Sequence, residues 1–201
     1  MRDRLEDRFK LPQAVPLMRK AEEIRELVRH ILAAAPDMEF TDEVVTGLKE
    51  EKDDVFGDKD DAHYKREALK HQMDDLYGAA ILIPAKIAGA EGGDLYDIRM
   101  ENATLIRKAA RELVVGLRGL EMFGYDEQPY FDLLRAEVEE FRKLFVDWVQ
   151  AFNINRFIAD DWGLFNPPGV NPGDDIIGDL GYDDEEGPPF GEDDIFGPED
   201  D

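Results

Sequence analysis

The fold is decided by residues 131–152, FDLLRAEVEEFRKLFVDWVQAF. Large apolar side chains recur in this stretch at alternating steps of three and four residues, namely Phe131, Leu134, Val138, Phe141, Phe145, Trp148 and Phe152. These are the a and d positions of a heptad, so all of them lie on one face of an α-helix. A face this aromatic requires neighbouring helices to bury it.

Three earlier segments carry apolar residues at the same spacing. The first has Leu17, Ala21, Ile24, Val28 and Ile31, the second has Leu69, Met73, Leu76, Ala80 and Ile83, and the third has Leu95, Ile98, Asn102, Leu105, Ala109, Leu113, Leu117 and Leu120. We therefore predict an all-α fold, an antiparallel four-helix bundle with helices near 14–35, 62–88, 94–123 and 127–152. An N-terminal arm (1–13) precedes the bundle (14–152), and an aromatic strap (153–170) and a disordered acidic tail (171–201) follow it.

Helix-breaking residues set the expected boundaries. Pro84 is expected to kink or end the second helix. The glycines at 89, 92 and 93 then predict a flexible turn, and Asp94 is suited to cap the third helix. Gly116 and Gly119 lie inside the third helix and predict the close approach of a neighbouring backbone.

Composition excludes several classes of function. The chain has 24 basic and 48 acidic residues, a net charge of -24, which repels nucleic acid and anionic membranes. It has no cysteine, which excludes disulfides, thiolate zinc sites and cysteine nucleophiles. The mixed charges of residues 1–6 do not resemble a signal peptide, so we expect a cytoplasmic location. The excess of Asp over Glu fits a halophilic source and an ordinary acidic protein equally well.

One group of residues has the spacing of a metal site. His63, Glu67, His71 and Asp74 form a single stripe on the second helix. That stripe lies roughly 120° or more from the apolar seam, so we expect it to face solvent. We accordingly predict no metal, cofactor or catalytic residue. A metal-binding or hydrolytic protein that uses this stripe, or Glu101, Asn102 and Glu112, is the alternative.

Asn102 is the one strongly polar residue on the predicted seam of the third helix. We interpret it as a polar core residue, a buried amide that fixes helix register. The alternative is that it forms one wall of a small polar pocket.

The segment after the bundle combines acidic and apolar residues. Trp162 and Phe165 are expected to dock back onto the bundle, with a partner-binding segment as the alternative. Two similar elements follow, Gly173–Gly178 and Glu192–Gly197. Short apolar pairs set among acids are typical of motifs that dock into a basic or apolar groove of another protein. The predicted partner-binding residues are Asp174, Asp175, Ile176, Ile177, Asp193, Asp194, Ile195 and Phe196. A purely solubilising tail is the alternative.

Residues 83–103 and 131–148 resemble a family of uncharacterised helical proteins from Bacteroidetes-type bacteria. That resemblance implies a bacterial cytoplasmic protein and implies no activity. From its residues, the sequence favours a non-enzymatic helical scaffold or adaptor that binds a protein partner and does not bind nucleic acid or membranes. A homo-oligomer is compatible with the same pattern.

Overall fold

A computed structural model describes residues 9–34, 60–125 and 127–179, with 60–63 described by backbone alone. These ranges contain four α-helices: α1, Ala14–Ala34; α2, Asp60–Gly93; α3, Tyr96–Met122; and α4, Gln128–Gln150. They contain no β-strand beyond one isolated bridge. The predicted all-α class is therefore confirmed. Within the described ranges, no helix combines the length and apolar character that a membrane crossing requires.

The described residues divide into two compact units. One contains 9–34, 60–94 and 98–152, and the other contains 95–97 and 153–179. The first unit is the antiparallel four-helix bundle. Its α1 packs against both α2 and α4. The short connections from α2 to α3 and from α3 to α4 suit antiparallel neighbours.

The apolar spacing of α1 and α2 identified their core faces. All ten predicted seam residues of these two helices are buried. Each buried Leu, Ile or Val side chain contributes roughly 1.5–3 kcal/mol relative to an exposed one, so such a face outweighs the weak helix propensity of its β-branched members.

Helix α2 is longer than predicted, because it continues through Pro84 to Gly93. Proline removes one backbone hydrogen bond and costs a helix interior ~3 kcal/mol. Here Pro84 is itself buried, and Ile83, Ile87 and Ala90 are completely buried around it. The burial of these apolar side chains offsets the free-energy cost of the missing backbone hydrogen bond. The glycines at 89, 92 and 93 are consequently helical and do not form the predicted turn.

Asp94 has a different role from the predicted N-cap of α3. Its φ is 59°, in the left-handed region, and it follows the last residue of α2. A left-handed residue at this position ends a helix, and aspartate tolerates that conformation better than most residues. Helix α3 then begins at Tyr96. Asp94 is therefore the residue that stops α2.

The predicted core face of α3 is wrong at its N-terminal end by one residue. The observed buried positions are Arg99, Ala103, Ile106, Ala109, Leu113, Gly116, Leu117 and Leu120. Ile98, Asn102 and Leu105 lie one position earlier and are only partly buried or exposed. The prediction followed the apolar Ile98, whereas the buried stripe begins one residue later, at the charged Arg99.

Gly116 and Gly119 allow α3 to pack closely on α2. A β-carbon at Gly116 would lie 2.9 Å from Cδ1 of Leu76, and one at Gly119 would overlap the side chain of Gln72. The distance at Gly116 is shorter than real β-carbon contacts, and its neighbour Leu76 is buried, whereas the neighbour of Gly119 is the flexible end of Gln72. The close neighbours of both glycines are thus side chains of α2, where we had predicted a neighbouring backbone.

The second unit is built from turns and one antiparallel backbone pairing. Ala159 N–H donates to the Ile176 carbonyl at 3.1 Å, and Gly178 N–H donates to the Phe157 carbonyl at 2.8 Å. Ile158 and Ile177 form an isolated β-bridge. Residues 171–179 belong to the predicted acidic tail (171–201), and these hydrogen bonds join them to residues 155–159. Residues 180–201 lie outside the described residues.

Candidate functional site

The predicted metal stripe is on the surface of α2. Glu67, His71 and Asp74 are exposed, as the helical wheel indicated, and the side chain of His63 lies outside the described residues. Among the side chains that are described, no group of three or more His, Asp or Glu residues is arranged to hold a metal ion. Glu101 and Glu112 of the alternative site are exposed on α3.

Asn102 is not the buried core amide that we predicted. It is only partly buried, and its Nδ2 donates to the Ile98 carbonyl of its own helix at 2.8 Å. A β-carbon at Gly89 would lie 3.6 Å from its Oδ1. Its donor is therefore satisfied one turn back along α3, and it does not set register across the core.

The polar core is instead centred on Glu91, which is 2% exposed. Its Oε1 accepts a hydrogen bond from the Trp148 indole Nε1 at 2.9 Å. Its Oε2 accepts two more, each 3.0 Å, from the backbone N–H groups of Lys10 and Leu11. One carboxylate thus joins the end of α2, the end of α4 and the segment before α1. Charge-assisted hydrogen bonds of this kind are about twice as strong as neutral ones.

Arg99 completes this buried network from α3. Its Nη1 lies 2.5 Å from Asp94 Oδ1, and its Nη2 lies 3.7 Å from Glu91 Oε2. Its guanidinium carbon is 5.6 Å from the ring centre of Phe152, a cation–π geometry. Within the described part of the chain, its Nε and Nη2 make no hydrogen bond. Both oxygens of Glu91 are occupied by donors of the protein and closed to solvent, so the network is structural.

Sequence reasoning missed both members of this pair, because charged residues are seldom fully buried. A signal was present. Glu91 lies four and eight residues after the buried Ile87 and Ile83, and Arg99 lies four residues before the buried Ala103. Extending each buried stripe by one helical turn marks both positions as core candidates, but only the packed structure shows that the charges have partners there.

A groove of about 510 Å³ runs along the surface between α3 and α4. Its apolar wall consists of Val114, Val115, Val138, Phe141, Phe145 and Val146. Val138 and Phe145 belong to the heptad of α4, which we expected to be buried throughout, yet both are only partly covered. Val115 is 62% exposed. The aromatic face of α4 is therefore incompletely buried by its neighbours.

The charged side chains that line the groove are mainly basic. They are Arg107, Arg111, Arg118 and Arg142, against one glutamate, Glu139. Arg142 donates to both oxygens of Glu139 at 2.9 Å through its Nε, and these hydrogen bonds lower the pKa of Glu139 below its ordinary value. The structure brings four arginines to one apolar groove in a chain whose net charge is -24.

The predicted partner-binding residues of the first acidic element lie on the paired backbone of the second unit. Ile176 and Ile177 are exposed, and Asp174 accepts a hydrogen bond from the Asn171 N–H at 2.7 Å. Asp175 is also exposed. Asp193, Asp194, Ile195 and Phe196 lie outside the described residues.

The residues of the predicted aromatic strap lie in the second unit. Trp162 is 83% exposed, and Phe165 is partly buried. Leu164 is exposed as well. Docking of this segment onto the bundle and binding of a partner both stay predictions.

Comparison with known proteins gives no relative for this chain. No protein-family model, no curated protein and no solved structure matches it.

Proposed function

We propose that this chain is a non-enzymatic helical adaptor whose acidic carboxyl-terminal segment docks a protein partner. One observation carries the proposal: the second unit holds large apolar side chains in solvent on a backbone fixed by hydrogen bonds. Ile176 and Ile177 are both exposed, although the backbone groups of Ile176, Gly178 and Asp179 are hydrogen-bonded to residues 155–159.

The energetic argument rests on exposure. Exposed apolar side chains that lie together on a folded protein mark interaction surfaces, because their contact with water costs free energy that binding of a partner removes. Ile158, Trp162, Leu164, Ile176 and Ile177 all belong to this second unit and are all exposed. A backbone already fixed by hydrogen bonds loses less conformational entropy when a partner binds, which increases affinity.

The charges around these side chains define the partner. Asp174 and Asp175 precede the isoleucines, and Asp160 and Asp161 precede Trp162. A partner with a basic rim and an apolar floor complements this surface, and opposite charge also accelerates association. We propose a cytoplasmic location for this pairing, which the absence of cysteine supports.

The test is affinity capture with the full chain as bait. The variant Ile176→Asp/Ile177→Asp removes the exposed apolar pair and leaves the backbone hydrogen bonds available. The control Tyr64→Asp/Met122→Asp makes the same chemical change at exposed positions of the bundle, where the side chains are 68% and 84% exposed.

We expect a partner that is retained by the control and lost with the isoleucine variant or on deletion of residues 180–201. Circular dichroism should show equal helix content in all chains. A partner set that is unchanged by the isoleucine variant, by the deletion and by both together contradicts the proposal.

A further inference from the structure

We propose that the groove between α3 and α4 is a docking site for residues 192–197 of a second copy of this chain. This inference rests on the proposed function, because it names the partner of the acidic segment. The groove supplies the basic rim and the apolar wall that the segment requires, and one chain carries both halves of the interaction.

The strongest evidence is that three exposed arginines beside the groove have no ion-pair partner among the described residues. Arg107, Arg111 and Arg118 lie on one stripe of α3, four and seven residues apart, and all three are exposed. None of them makes an ion pair with any residue that the structure describes. In a chain with twice as many acidic as basic residues, three unpaired arginines on one stripe form a distinct anion-binding surface.

Basic residues elsewhere on the same pair of helices are already neutralised. Lys108 pairs with Glu112, Arg135 pairs with Glu121, and Lys143 pairs with Glu140. Arg142, which also lines the groove, pairs with Glu139, so the three arginines of the stripe are the groove cations that make no ion pair with a described residue. Guanidinium groups bind carboxylates through two parallel hydrogen bonds, which favours an acidic peptide over a neutral one.

The apolar wall defines the rest of the occupant. Phe145 and Val138 are heptad positions of α4 that the bundle leaves partly uncovered, and Val115 stands exposed across from them. Bulky aliphatic or aromatic side chains are needed to remove this surface from water. An occupant must therefore carry such side chains directly beside carboxylates.

Residues 192–197, EDDIFG, have this composition. Three acids precede the pair Ile195-Phe196, and Glu199, Asp200 and Asp201 follow it. The described chain ends at Asp179, and the 14 residues from there to Asp193 can span up to about 50 Å when extended. That length allows the segment to reach a groove on another molecule.

The groove and the segment are different surfaces, so the contact between two copies is heterologous. Two copies can exchange segments and form a closed dimer, or successive copies can bind one another in an open chain. A peptide in a groove of about 510 Å³ buries less than a standard protein interface, so association is weak and concentration-dependent. Because the association depends on attraction between arginines and carboxylates, added salt weakens the association.

Sedimentation velocity of the full chain over a range of concentrations tests the proposal. We expect the average mass to rise with concentration. Arg111→Glu/Arg118→Glu should weaken self-association at least about tenfold, as should Asp193→Lys/Asp194→Lys. The control Lys108→Glu/Lys143→Glu makes the same change in net charge as the arginine variant, but outside the groove, and should associate like the parent chain.

A mixing experiment distinguishes a direct contact from a general effect of charge. The groove variant Arg111→Glu/Arg118→Glu and the tail variant Asp193→Lys/Asp194→Lys should each remain monomeric alone. Mixed in equal amounts they should associate, because each groove then meets a segment of opposite charge. A parent chain that stays monomeric at every concentration, or a mixture that does not associate, overturns the inference.

The outcome also separates this inference from the proposed function. A monomeric chain that still captures a different protein through its acidic segment overturns the second-copy inference and supports the adaptor. A monomeric chain that captures nothing through that segment contradicts both.

Discussion

The indole Nε1 of Trp148 donates a hydrogen bond of 2.9 Å to Oε1 of Glu91, and both side chains are almost completely buried. This bond connects the end of α4 to the last turn of α2. It favours the continuation of α2 past Pro84 through a glycine-rich stretch, because a buried carboxylate that lost its hydrogen-bond donors would destabilise the fold.

Replacement of Trp148 tests that connection. Trp148→Phe removes the donor and leaves an oxygen of Glu91 buried without a partner, and it also leaves a small cavity. We expect the free energy of unfolding to fall by about 2–4 kcal/mol in urea denaturation. Trp162→Phe is the matched control, because Trp162 is 83% exposed and should change stability by less than about 0.5 kcal/mol. Equal effects at the two positions would contradict the buried connection.

The ion pair between Arg99 and Glu91 should behave as a coupled unit. Arg99→Met removes the buried cation that Glu91 and Asp94 contact, and this loss should cost about 3–5 kcal/mol. The double variant Glu91→Met/Arg99→Met should be destabilised by clearly less than the sum of the two single changes, with a coupling of at least about 1 kcal/mol. Chemical denaturation of the four chains supplies this cycle. Strictly additive effects would show that the two charges do not interact.

Two glycines should respond to alanine with opposite sign. Gly116→Ala places a methyl group 2.9 Å from Leu76 Cδ1, so packing strain should exceed the gain in helix propensity and lower the melting temperature. Gly78→Ala lies inside α2 with nothing within 4 Å of the new methyl group and should stabilise by about 0.5–1 kcal/mol. Thermal unfolding followed by circular dichroism compares them. Stabilisation by both substitutions would mean that α3 and α2 do not pack closely at Gly116.

Tyr125 should make stability depend on alkaline pH. Its hydroxyl donates to the Ile31 carbonyl at 2.7 Å, and burial, with a smaller effect of Glu127, raises its pKa from 10.0 to about 12. The folded state favours the neutral phenol, so this contribution is complete below about pH 10 and is lost as pH rises through about 12.

Tyr125→Phe should lower the free energy of unfolding by about 1 kcal/mol near neutral pH, where the parent chain has an intact hydrogen bond. Spectrophotometric titration of the folded parent chain should also show a late phenolate phase that is missing from the variant. If the late phase persists in Tyr125→Phe, the assignment to Tyr125 is wrong.

Sequence periodicity identified the helices and most of their core faces. The seams of α1 and α2 were correct at every position, because apolar side chains at steps of three and four leave a helix only one face to bury. The exposure of Glu67, His71 and Asp74 followed from the same argument. Periodicity failed at the start of α3, where Arg99 occupies a core position that an apolar pattern cannot reveal.

The sequence by itself thus determined the all-α class, the helices and the solvated face that carries Glu67, His71 and Asp74, since these depend on local spacing and composition. Only the tertiary structure decided which charges are buried and which apolar residues remain uncovered. Glu91 and Arg99 are inside because their partners come from other elements, and Phe145 and Val138 stay partly open because no helix among the described residues covers them fully. Both results depend on how helices pack against one another, and the pattern along one helix does not contain that information.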